Sequence, residues 1–337
     1  MPNVVRNVQD ARAAVGDDGP MSTSTGPVDV AAAERFLRLE ARLLDLRRYE
    51  RAFHGGPGDA VLSALAAYRN ADGGYAGILE PDLRTGLSQP QSAELALRVL
   101  DECGGAPADV AAGLCDWLGT VSGEDGGVPF THPSARAHPA APHWHHADGE
   151  ASSLNPTAAI VGLLHRHGVE HPWLDRATAF CWRALGVAGE GHGTVEARDA
   201  TGQDAGADVE TLDLYSVRAA AWLLRPEVPD PPDPAGLRAR LEAGVRDHVA
   251  LDPALTAPGA AGHHIGPLEV APFPDDPLRA LLPEAAVEAA LDALEERQRP
   301  DGGWDVNFAP ISSAATAEWR AWATLQALLV LRAAGRL

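Results

Sequence analysis

The stretch "RQRPDGGWDVNF", residues 297–308, decides how this chain is read. A helix-forming run ends in Asp301-Gly302-Gly303, and a large aromatic, Trp304, follows at once. Glycine supplies the positive φ that terminates a helix. The spacing Leu294-x3-Gln298-x3-Gly302-x-Trp304 recurs as Leu65-x3-Arg69-x3-Gly73-x-Tyr75 and as Leu118-x3-Ser122-x3-Gly126-x-Val128. All three copies carry Asp-Gly-Gly, at Asp72, Asp125 and Asp301. One spacing at three sites is an internal repeat.

The residues after each turn repeat as well. Ser88-x3-Ser92, Ser153-x3-Thr157 and Ser312-x3-Thr316 each open an apolar periodic run. Hydroxyl residues in that place predict helix N-caps. The gap between the second and third turns would hold two degenerate copies, in 188–197 and 247–259. The unit is thus a helix, a Gly-Gly turn, an aromatic staple and a second, capped helix. Such a hairpin cannot bury its apolar face alone, so the copies must stack. The predicted helices are 30–54, 58–70, 89–103, 108–121, 155–168, 173–186, 208–225, 234–250, 283–298 and 313–335. Five or six hairpins can close into a ring with one helix of each pair inside. Residues 1–27 lack periodicity and are expected to be a disordered tail, with Met21 a natural alternative start. Residues 28–337 are expected to form one domain.

Composition narrows the function. The formal net charge is −20, and all 27 Lys/Arg positions are Arg. Phosphate backbones would be repelled, so no nucleic-acid partner is expected. No apolar run long enough for a membrane span or a signal peptide is present, so a cytoplasmic location is the expectation. The three cysteines, Cys103, Cys115 and Cys181, lack paired spacing. Cys115 and Cys181 read as small core residues.

The pattern resembles the prenyltransferase and squalene–hopene cyclase repeat superfamily. Its Gln…Gly-x-Trp motif is matched by Gln298, Gly302 and Trp304, and the resemblance spans roughly residues 30–337. It implies an all-α fold, an (α/α) toroid with a largely apolar central cavity. It also implies an isoprenoid-handling enzyme on a small apolar substrate. Class II cyclases of this superfamily protonate the substrate with an Asp-x-Asp-Asp acid, and this chain has none. The nearest stretch is "DVETLDLYSVRAAAWLL", residues 208–224. There Glu210 would stand as proton donor, with Asp208 as its hydrogen-bond partner and Asp213 as the alternative acid. The competing reading is acidic residues stabilising a helix N-terminus. Trp319, Trp322, Glu318, Trp222 and Tyr215 are the expected substrate-facing residues, against plain core packing. Prenyltransferases hold zinc through an Asp, a Cys and a distant His, a set that Cys115-Asp116 does not complete. No cofactor and no metal are expected.

Two loops carry further signals. "HWHHADGE" places His143, His145, His146 and Asp148 near His132 and His138, a chelating spacing or a solvated loop. Residues 251–282 show little helical pattern and are expected to be a lid over the toroid mouth. In that loop Asp275-Asp276 reads as a helix cap. Two other function classes remain beside the isoprenoid enzyme: a non-catalytic toroid binding an apolar ligand or a protein, and a carbohydrate-active (α/α) enzyme with paired carboxylates.

Overall fold

A computed structural model describes residues 28–146, 151–188, 212–262 and 264–337. The fold is all-α. The helices are α1 (Val30–Glu40), α2 (Leu43–His54), α3 (Gly58–Ala66), α4 (Pro90–Glu102), α5 (Ala108–Val121), α6 (Pro142–His146), α7 (Leu154–Arg166), α8 (Pro172–Ala184), α9 (Leu214–Ala220), α10 (Pro234–His248), α11 (Pro267–Val270), α12 (Glu284–Glu296) and α13 (Ser313–Ala333). The expected tail, 1–27, and the first degenerate turn, 188–197 beyond Ala188, lie outside the described residues. The second degenerate turn has no Gly-Gly; residues 247–259 hold a 3₁₀ segment, Pro253–Thr256.

The three turns share one geometry. Gly73, Gly126 and Gly302 have φ of +92°, +91° and +94°. The amide of the second glycine donates to the turn aspartate: Gly74 to Asp72 at 2.9 Å, Gly127 to Asp125 at 3.0 Å, Gly303 to Asp301 at 3.0 Å. The aspartate thereby fixes the chain reversal locally. Each turn also presses on the helix that begins the next unit. A Cβ on Gly73 would lie 2.2 Å from the Gly113 carbonyl of α5, and one on Gly126 would lie 2.7 Å from the Arg176 backbone of α8. A Cβ on Gly302 would lie 2.3 Å from the Ala32 backbone of α1. The last turn therefore docks on the first helix as the earlier turns dock on their successors. Four residues beyond each contact point stands an aromatic that covers the second glycine: Trp117, Phe180 and Phe36. The Gln298 amide spans the same joint. It donates to Asp29 O at 2.9 Å and accepts from Asp29 N at 2.8 Å.

The aromatic after the turn holds its own hairpin. Trp304 is 2% exposed. Its indole donates to Leu294 O of α12 at 2.7 Å, and its backbone amide donates to Thr324 Oγ1 of α13 at 3.0 Å. Val128 N donates to Thr157 Oγ1 in the same way, at 3.0 Å. The structural partner of Thr157 is thus Thr324, not Thr316. Likewise Ser88 matches Ser152, since both hydroxyls donate to the turn aspartate, at 2.8 and 2.6 Å. Of the hydroxyls expected to cap helices, Ser312 does so, accepting from Ala315 N at 3.1 Å. Ser88 and Ser153 make no cap bond. Hydroxyls that tie turn to helix mimic cap signals because both roles place Ser or Thr beside the same apolar run.

Two expected helices are corrected. The 30–54 helix breaks at Ala41 and Arg42, which are extended. The Arg42 guanidinium bonds Asp45 at 2.8 Å and the Leu79 carbonyl at 2.8 Å, and these anchors hold the break. The 208–225 helix starts, among the described residues, only at Leu214, and its end, Ala221–Leu224, tightens to 3₁₀. Loop 251–282 contains three short helical segments, Pro253–Thr256, α11 and Pro277–Leu281. It is tied down by Arg297, which donates to Pro253 O, and by Asn307, which donates to His264 O. Asp276 stands before the last segment without capping it. It accepts instead from Arg225 and from Phe273 N.

One hydrophobic cluster runs from α1 to α13. The nearly fully buried α7 touches α4, α8 and α9, while α13 touches α1, α2 and α12. Cys115 and Cys181 are buried free thiols, and burial pushes the Cys115 thiol up to about 12. No described helix is long and apolar enough to cross a membrane.

Candidate functional site

Residues 79–84, "LEPDLR", leave the first turn and cross to the start of α13. Pro81 denies this segment a helix, and side chains fix it instead. Asp82 accepts from the Trp319 indole at 2.9 Å and from Ile311 N at 3.0 Å. Arg84 pairs with Glu318 at 3.0 Å. Phe308 and Trp322 pack edge-on against Trp319, with centroids 5.2 and 5.5 Å away. Beside this aromatic group the Glu80 carboxyl is buried, 8% exposed, and the hydrogen bond it accepts from Asp82 N is long, 3.3 Å. Burial pushes it up to about 8, which the backbone hydrogen bond and the cations Arg42 and Arg84 only partly oppose. Desolvation penalises the carboxylate and so favours the protonated form of Glu80.

A second wall comes from α9. Tyr215, Arg218 and Trp222 follow at spacings of three and four, which puts them on one face. Arg98 of α4 lies over the Trp222 ring at 5.1 Å and Arg225 lies over it at 5.3 Å, a cation–π sandwich. Arg98 also pairs with Glu94 at 2.6 Å. Glu269 of α11 accepts from Gly266 N at 2.6 Å. Tyr215 lies within electrostatic range of Arg218, Glu269, Asp213 and Glu80. Tyr215 is 37% exposed and Glu269 is also exposed, yet desolvation raises both above their ordinary values.

The sequence-predicted residues divide among these places. Trp319, Trp322 and Glu318 meet at the α13 wall, Tyr215 lies on α9, and Trp222 lies in the 3₁₀ segment that follows it. Glu210 and Asp208 lie outside the described residues. Asp213 is the N-cap of α9, bonding Tyr215 N at 2.9 Å and Ser216 N at 3.1 Å. It precedes the helix as its cap rather than standing on a helical face. Glu80 and Arg218 were not anticipated, and Glu269 only as a polar group of loop 251–282. The available signal for Glu80 was two acids flanking a proline inside an apolar segment directly after a repeat turn. Arg218 carried no such signal. In the histidine-rich stretch, Trp144 is buried against Phe130 with centroids 5.0 Å apart, and His145 bonds the His138 carbonyl at 3.0 Å. No cluster of three metal-capable side chains occurs among the described residues. The His146 side chain and Asp148 lie outside them.

No family model and no curated protein matches the chain. Among solved structures, the crystal structure of a protein from Actinoplanes is similar at 20% identity and a TM-score of 0.54. The match covers 91% of this chain and 100% of that one. At that identity the likeness concerns the fold alone.

Proposed function

We propose that six hairpins close into an (α/α) toroid whose recess admits a small, mostly apolar substrate of the isoprenoid class. Glu80 is its proton donor, the role that sequence reading gave to Glu210. The docking of Gly302 on Ala32, in the manner of the internal joints, supports closure. The observation that carries the chemistry is the buried Glu80 carboxyl, pushed up to about 8, two residues from Asp82, which accepts from the Trp319 indole. Protonating an alkene needs an acid kept neutral at working pH, and aromatic faces stabilise the cation that forms. The proton passes from the Glu80 carboxyl to the substrate, and the opposite loss of a proton ends the reaction. Free buried thiols at Cys115 and Cys181 fit a reducing compartment, so the reading places the protein in the cytoplasm.

The test is incubation with linear polyprenes and their epoxide and diphosphate forms, with products read by mass spectrometry. Wild type should convert at least one of them, and Glu80→Gln should lose conversion while melting like a folded protein. Full turnover by Glu80→Gln overturns the acid. No conversion by wild type moves the protein to a non-catalytic binding role. A second reading rests on Glu269, a further carboxyl that desolvation raises, within electrostatic range of Tyr215. Glycosidic bond cleavage uses two carboxyl groups, one held protonated. Release of sugar from oligosaccharides, lost in both Glu80→Gln and Glu269→Gln, would favour it.

A further inference from the structure

Every polar atom of Asp82 is engaged. The residue is 3% exposed. Its Oδ1 accepts from Ile311 N at 3.0 Å, and its Oδ2 accepts from the Trp319 indole at 2.9 Å. Its carbonyl accepts from Ala141 N at 2.9 Å, and its amide donates to Glu80 Oε1 at 3.3 Å. Asp82 is thus tied at once to the residues before α13, to α13 itself and to the residues before α6. Its neighbours are held as well. Leu83 is fully buried in a cluster with Ala135, Ala141 and Trp144, and Arg84 N donates to Pro139 O at 2.9 Å. Pro81 restrains the backbone between the two acids.

The bonds tell the two carboxyls apart. A carboxylic acid turns one oxygen into an O–H donor, whereas a carboxylate accepts on both. Asp82 meets an N–H donor on each oxygen, which specifies the carboxylate, and protonation would cost it one of those bonds. Glu80 meets a long bond, 3.3 Å, and burial favours its neutral form. We propose that Asp82 is a positioning residue: it remains the acceptor that holds the Trp319 indole, and thereby leaves Glu80 as the carboxyl of the pair that gives a proton. The inference deepens, and rests on, the reading of Glu80 as the acid. The charge that grips the indole also opposes a second negative charge on Glu80. One side chain therefore orients the aromatic and keeps the acid loaded.

Carbon NMR of the full chain labelled at glutamate Cδ tests this, with Glu80→Gln identifying the Glu80 signal. Asp82→Asn keeps the side chain's shape and removes its charge. The Glu80 titration should then move to lower pH by roughly one unit, the scale of two coupled acids. Asp82→Glu restores the charge and should return part of that change. Trp319→Phe removes one donor from Asp82 and lets the proton divide between the two carboxyls. At neutral pH the Glu80 signal of that variant should move toward its ionised position. A Glu80 titration that Asp82→Asn leaves in place, in a protein that still melts cooperatively, reduces Asp82 to a structural tie and overturns the proposal. Should Asp82→Asn fail to fold, an unmoved Glu80 signal in Trp319→Phe overturns it. No turnover enters these measurements. Absence of conversion by wild type would remove the isoprenoid reading, while the NMR comparison still decides the role of Asp82.

Discussion

Replacing Gly302 by alanine tests whether the last turn is a joint like the others. Two costs are expected. The residue sits at φ +94°, where a Cβ is strained by about 1–2 kcal/mol. The new Cβ would also lie 2.3 Å from the Ala32 backbone, which must shift, and overpacking of that kind costs about 1–3 kcal/mol. Together Gly302→Ala should destabilise by about 2–5 kcal/mol. Gly55 is the control, with φ +66° and no atom within 4 Å of its would-be Cβ. Gly55→Ala should carry only the first cost. At about 2 °C per kcal/mol, thermal melts should separate the two variants by a few degrees. Gly73→Ala and Gly126→Ala, which meet the Gly113 and Arg176 backbones, should fall with Gly302→Ala. If Gly302→Ala melts no lower than Gly55→Ala, the turn does not dock on α1 and the argument for closure fails.

Trp304→Ala should cost about 3–5 kcal/mol, because the ring is buried and two hairpin bonds depend on its position; urea unfolding measures it. Glu80 should make stability fall as pH rises. Its folded value is about 8 against an ordinary 4.5, so the native state binds the extra proton, and the advantage, whole below 4.5, is lost as pH climbs through 8. Glu80→Gln should flatten that stretch of the curve, and unchanged slope between pH 5 and 8 would show that the carboxyl is ionised when folded.

The repeat was legible because its signal is local. Asp-Gly-Gly and the aromatic two residues on from the first glycine declare a turn and its staple without reference to the rest of the chain. The break at Ala41–Arg42 was not legible, since no glycine or proline marks it and its anchors, Asp45 and Leu79, bond it only in the folded state. The aromatics Phe36, Trp117 and Phe180 were equally hidden. Their common property is the distance to a turn in the preceding unit, which only the fold defines. The site followed the same division. Tryptophans on α13 stand out by type and spacing, but the raised Glu80 carboxyl owes its shift to burial, which only the fold creates.

The bond between Asp29 and Gln298 has a topological consequence. Wherever the backbone runs from one unit into the next, a failed contact can re-form while the chain keeps the parts together. Between α13 and α1 within this chain no peptide links the neighbours, and non-covalent contacts alone hold them. Native-state breathing should start there, and amide exchange around Asp29 and Gly302 should outpace exchange at Gly73 and Gly126. By the same logic, a circular permutant that fuses α13 to α1 and opens the chain in the α4–α5 connection should move the fast-exchanging place without changing the fold.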